Sequence, residues 1–247
     1  METVAQLSCG NSAALLFECM AGSRAYGTAI TGSDADIRGI FVSVVEPRDV
    51  IEAMLPGDLD VSGWDLRKAL RLFAKCNLAL NEWLGSPLVY AERPEFADQL
   101  RQLMPRHFNP MAATHHYRSM AQTAFNDDYA GGSIRIKKLF YVLGPLLACR
   151  WIERTGSQPP TEFAALVAAQ WVTSQEKAWI TELLQAKSRA AEAQPVELGT
   201  ARAEAISIEL EHYRQAANLL SAPLRYDLAE LDALLRACVW SVSRPRR

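Results

Sequence analysis

Between Leu15 and Gly39 the chain reads LLFECMAGSRAYGTAITGSDADIRG, and no other stretch restricts its fold as tightly. The apolar run Leu15 to Ala21 has the length and composition of a buried strand. Gly22 and Ser23 end it, ten residues follow, and Asp34 and Asp36 come next, two positions apart. On a strand that spacing sends both carboxylates to one face, and sends Ala35 and Ile37 to the other, into a core. Ile37 to Val45, IRGIFVSVV, then continues as a strand rich in β-branched residues.

Two carboxylates held close together raise each other's pKa and cost stability unless something neutralises them. Magnesium does so: it is hard, prefers oxygen, and is usually held by one or two carboxylates plus substrate phosphates. The Gly22-Ser23 turn is complementary. Glycine lets the backbone approach a ligand closely, N–H groups opening a helical turn attract an anion, and Ser23 adds a hydroxyl. Either motif alone is commonplace in surface turns; their conjunction behind an apolar strand carries the meaning. A phosphate cradle followed by an acidic pair points to a nucleoside triphosphate with its magnesium.

A third acid is available in Gly57 to Asp65, GDLDVSGWD. Asp58 and Asp60 would share a strand face, whereas Asp65 directly precedes an amphipathic helix and reads as its N-cap. That helix, Asp65 to Cys76, puts Leu66, Ala69, Leu70 and Phe73 on one face and Arg67, Lys68, Arg71 and Lys75 around the rest. Lys68 and Arg67 start close to the acids and within reach of phosphate. Arg38 is expected to bridge to a neighbouring acid. Arg24 either reaches the triphosphate or braces the loop. The segment Asn77 to Pro87 reads as a second helix.

From about Pro105 strand signals vanish and alanine-rich helical periodicity takes over. This divides the chain into residues 1–105, a small mixed sheet with flanking helices, and residues 106–247, all helical; the fold class is α+β. Helices are expected over Ala112 to Phe125, Ser133 to Ile152, Thr161 to Val172, Ser174 to Ala190, Ala201 to Leu220 and Asp227 to Ser241, with Glu192 to Thr200 as a linker. His115 and His116 are adjacent and cannot both face one metal from a helix, which argues against histidine-bound zinc. Arg135, Lys137, Lys138 and Tyr141 lie beside a core stripe of Leu139, Val142, Leu143, Leu146 and Leu147. They form either a solvated basic face or a nucleotide contact. Gly144-Pro145 is expected to kink that helix, and Arg244 to Arg247 end the chain as a basic tail.

A net charge of −2 argues against coating nucleic acid by bulk electrostatics, though not against a local basic groove. The five cysteines are scattered and form no CxxC pair, as in a reduced cytoplasmic protein. No signal peptide is read at the start, and no apolar run reaches membrane-spanning length.

The string Gly22-Ser-Arg-Ala-Tyr-Gly27 followed by Ser33-Asp-Ala-Asp-Ile-Arg-Gly-Ile-Phe41 resembles the nucleotidyltransferases related to DNA polymerase beta. Within them it resembles a bacterial family associated with RNA repair. The resemblance implies transfer of a nucleoside monophosphate from a nucleoside triphosphate, ATP among them, to an acceptor hydroxyl. It implies Mg2+ or Mn2+ on Asp34, Asp36 and Asp60, with Asp60 as the third acid, and contacts to the nucleotide from Gly22, Ser23, Arg24, Lys68, Lys137, Lys138 and Tyr141. The acceptor would be an RNA end, with a protein or small molecule as alternatives. A nucleotide-binding or antitoxin-like module without catalysis is the other class. The chain departs from the family in two places: it is shortened after Val45, and Gly144 stands where an arginine is expected before Pro145.

Overall fold

The computed structural model describes residues 4, 7, 13–43, 49–189, 194–220 and 228–243. The chain forms two compact units, one of Met1–Phe108 with Pro223–Arg247 and the other of Asn109–Ala222. The turn expected at Glu46 to Asp49 lies mostly outside the described residues, as do Cys9, most of the leader and the basic tail.

The first unit is built on a five-stranded mixed sheet. Its strands are β1 (Ala13–Ala21), β2 (Ala35–Ser43), β3 (Val50–Leu55), β4 (Leu59–Asp65) and β5 (Val89–Glu92), in the spatial order β3-β4-β2-β1-β5. Only β2 and β4 run parallel; the remaining pairs are antiparallel. Between β1 and β2 lies the single helical turn α1 (Gly22–Ala25). The helices α2 (Leu66–Ala74), α3 (Leu78–Leu84) and α4 (Pro94–His107) follow β4 and flank β5.

Alternation along the strands assigns each face of the sheet. One face buries Met20, Ile37, Phe41 and Val61, with Val4 fully buried over them. Gly39 and Gly63 are register partners on β2 and β4, and Val4 fills the space that their missing side chains leave. A Cβ on Gly63 would come 2.6 Å from Val4 Cγ1. The other face carries Phe17, Cys19, Ile40 and Val42, which pack with Leu66, Phe73, Leu80, Trp83, Phe96 and Leu100 of α2, α3 and α4. Burial pushes the Cys19 thiol up to about 12, so it is a protonated core residue.

The second unit holds α5 (Pro110–Asp128), α6 (Ile136–Thr155), α7 (Phe163–Ala168), α8 (Ser174–Arg189) and α9 (Gly199–Ala216). Two short strands that the helical pattern hides, β6 (Ser133–Arg135) and β7 (Pro195–Glu197), pair antiparallel. Helix α6 continues through Gly144 and Pro145. Arg150 ties the unit together, donating to Glu209 at 2.5 Å and Glu176 at 2.7 Å.

One element departs from the sequence-based division. Helix α10 (Ala229–Ser243) belongs to the first unit: Leu231, Leu234 and Cys238 join the core that covers Ile40 and Phe73. Periodicity shows that a helix has an apolar face, but not which unit that face meets. None of the described helices is long and apolar enough to cross a membrane.

Candidate active site

Parallel pairing of β2 with β4 sets Asp36 opposite Asp60, Arg38 opposite Ser62 and Ile40 opposite Trp64. The period of two then puts all six side chains on the helix-bearing face. At one end of that face the residues are apolar and covered. At the other they are charged and half-buried: side-chain exposure is 26% for Asp36, 17% for Arg38 and 40% for Asp60.

Arg38 joins the two acids. Its Nη2 donates to Asp36 Oδ1 at 2.8 Å and to Asp60 Oδ2 at 2.7 Å, and its Nη1 donates to the Asp60 carbonyl at 2.8 Å. The bridge expected of Arg38 is therefore a double one. It holds two carboxylates that would otherwise repel across adjacent strands.

The Gly22-Ser23 turn abuts this pair. Gly22 adopts φ +59, and a Cβ there would stand 2.1 Å from Asp36 Oδ2. The turn is fixed from two sides. Arg24 donates to the carbonyls of Ser33 at 2.7 Å and Asp34 at 3.1 Å, which is the bracing arrangement. The Tyr26 hydroxyl donates to Glu82 Oε2 at 2.8 Å, tying the turn to α3.

Asp34 is exposed and lies just before β2. It therefore falls outside the strand alternation that would align it with Asp36. Among the described residues no three His, Cys, Asp or Glu side chains group as a metal cluster. The pair that the fold brings together is Asp36 with Asp60. Asp58 sits in the β3–β4 turn with φ 56. Asp65 is 1% exposed and caps α2, accepting from the Arg67 N–H at 2.9 Å. Arg67 lies 3.5 Å from Asp65 and also donates to the Ser43 carbonyl.

Next to the pair opens a cleft of about 760 Å³. Arg38, Asp60, Ser62 and Trp64 line its strand side, and Lys68 and Trp83 its helix side. Trp64 and Trp83 have ring centroids 4.1 Å apart, and Lys68 Nζ lies 5.2 Å from the Trp64 centroid. Ser62 and Trp64 are members that sequence reading missed. Their alternation with Asp60 along one strand was the available signal.

Lys137, Lys138 and Tyr141 belong to the second unit, at the start of α6. Lys138 Nζ lies 6.0 Å from the Tyr141 ring, which is itself exposed. His115 bonds Asn218, and His212 bonds Glu153.

A family model described as RlaP, the RNA repair pathway DNA polymerase beta family, matches residues 1–237. An uncharacterized protein of Bacillus subtilis (strain 168), YcgL, is 40% identical over 228 residues, covering 90% of this chain and 88% of its own length.

Proposed function

Since the chain belongs to the RNA repair pathway DNA polymerase beta family, we propose that it is a metal-dependent nucleotidyltransferase acting on an RNA end. The observation that carries the reading is the Asp36–Asp60 pair, in register on adjacent parallel strands and beside the Gly22 turn. Phosphate oxygens drawn to that turn would meet Asp36 Oδ2, and anionic oxygens on both sides call for a cation between them. Hard oxygen donors in a pair suit Mg2+ or Mn2+, which need only one or two carboxylates when phosphates complete the shell.

Asp36 and Asp60 would hold the ion, with Asp34 entering from the end of the loop. Bound there, it would offset phosphate charge and acidify an attacking hydroxyl. The chain's own groups do the positioning. Arg38 keeps the carboxylates at their spacing, and the braced turn presents Gly22 and Ser23 to the phosphates. Asp60 takes the proton as the acceptor oxygen bonds to the α-phosphorus. The bond from that phosphorus to the bridging oxygen breaks, and pyrophosphate departs. Lys68 lies on the acceptor side; Lys137, Lys138 and Tyr141 are proposed to contact the nucleotide. The buried thiols suit a cytoplasmic setting.

The test is incubation with each α-labelled triphosphate, Mg2+ and total RNA or lysate, with Asp36→Ala in parallel. Label should move to RNA and fall at least about 100-fold in the variant, the rate equivalent of a few kcal/mol. Label on protein would name a different acceptor. Equal transfer by Asp36→Ala would remove the metal assignment. No transfer, with triphosphate still raising the melting midpoint, would make the chain a binding module.

A further inference from the structure

The cleft beside Asp60 is wider than a proton relay requires, and its chemistry is specific. One wall is aromatic, with Trp64 stacked at a tilt on Trp83. Lys68 stands over Trp64, and Arg38 and Ser62 add donors at the reacting end. Its two carboxylates, Asp60 and Glu52, are on strands, as is Arg38, and a second cation, Lys68, is on the helix. Beyond Lys68 the helix continues the charge. Arg71, three residues on along α2, and Lys75, the C-cap of that helix, are exposed and line the neighbouring groove with Leu228, Ala229 and Asp232. Among the described residues neither is paired with a carboxylate within salt-bridge distance. Seven residues of helix span about 10 Å, the reach of one or two backbone phosphates.

An aromatic face beside cations that continue in a row fits an unpaired nucleic-acid strand. The base stacks on the ring, every base has such a face, and the backbone follows the charges. A double helix keeps its bases stacked inside and would leave the tryptophans unused. A small acceptor would leave Arg71 and Lys75 unused.

We infer that the Trp64–Trp83–Lys68 cleft is the acceptor site and takes the unpaired terminal nucleotide of an RNA strand, whose preceding phosphates run along Lys68, Arg71 and Lys75. This rests on the nucleotidyltransferase reading, since it places the terminal hydroxyl toward Asp60. The base stacks on Trp64, and Met54, 71% exposed, supplies apolar contact at the edge of the cleft.

The experiment measures binding, so it does not depend on turnover. A fluorescein-labelled single-stranded oligoadenylate is titrated by anisotropy into the full-length protein without triphosphate, at several salt concentrations. Parallel melting curves with ATP and Mg2+ report the nucleotide site separately. Trp64→Leu should weaken oligonucleotide binding about 5- to 100-fold, and Trp64→Phe should restore part of it. Lys68→Gln, Arg71→Gln and Lys75→Gln, all on the helix surface, should each lower the salt slope by about 0.7. A blunt duplex of the same length should bind more weakly than the single strand. The ATP-dependent melting shift should survive in Trp64→Leu, Arg71→Gln and Lys75→Gln.

Unchanged oligonucleotide binding by Trp64→Leu, with its melting midpoint intact, would overturn the proposal. So would loss of the ATP shift in Trp64→Leu with oligonucleotide binding kept, which would make the cleft the site of the triphosphate's own base. Variants Arg71→Gln and Lys75→Gln that bind and respond to salt as the parent does would remove the strand. A parent lacking any ATP shift, yet binding the oligonucleotide through Trp64 and Lys68, would uphold the cleft while removing the transferase reading.

Discussion

A methyl group added at residue 22 would collide with the acid that anchors the site. The Cβ would lie 2.1 Å from Asp36 Oδ2, in a backbone conformation that costs an L-residue about 1–2 kcal/mol. Gly22→Ala should therefore move the Asp36 carboxylate as well as strain the turn. The expected result is a melting midpoint lower by about 2–8 °C and transfer reduced about 100-fold, as for a misplaced reacting group. A variant that melts lower but transfers as well as the parent would separate the turn from the chemistry. Arg38 invites a different measurement. Arg38→Met keeps an apolar stem and leaves Asp36 and Asp60 facing each other without a counter-charge. Like charges opposite on neighbouring strands cost up to about 1 kcal/mol. The variant should melt a few degrees lower without metal and gain more from added Mg2+ than the parent does. Equal gains would mean that Arg38 does not shield a cation site.

The elements were legible to different degrees, and burial explains the difference. β1 and β2 read directly, because Leu16, Phe17, Ile40 and Val42 are buried and the run is long. β3 did not: its burial alternates between half-buried and exposed, Met54 is in the open, and its pattern shows no continuous apolar signal. β6 and β7 have three residues each and exist only through one another. The site followed the same rule. The acids proposed for it were named from the string, but the pairing of Asp36 with Asp60 through Arg38 depends on parallel register between strands more than twenty residues apart, which no local pattern carries. Asp65 is the instructive contrast, since the residues after it identify it as a cap and the structure agrees. Asp65→Ala removes that cap at a cost of about 0.5–2 kcal/mol, together with the 3.5 Å contact from the Ser43 N–H to its carboxylate. The midpoint should drop by about 2–8 °C with label transfer at 25 °C retained. Transfer that collapses while the midpoint holds would make Asp65, not Asp60, the third acid.

Over the whole molecule, the change from strand to helix near Pro105 is written in composition, and the chain does pass from one unit to the other after Phe108. Its return is not written anywhere local. Leu231, Leu234 and Cys238 recur at helical spacing, as they would in any amphipathic helix. What commits α10 to the sheet unit is the apolar surface of α2 and β2 that awaits it, together with the Arg106–Glu230 ion pair at 2.8 Å. That ion pair is exposed and contributes little; the burial decides. Leu234, 4% exposed, should therefore report on the first unit alone. Leu234→Ala leaves a cavity in its core and should cost about 2–5 kcal/mol, lowering the midpoint by about 4–20 °C. Hydrogen exchange should accelerate in β1, β2 and α2, whose side chains share that core, and hold steady in α8 and α9. If exchange quickened in α8 and α9 and not in the sheet, the C-terminal helix would be supporting the second unit, and the assignment of α10 to the sheet unit would fail.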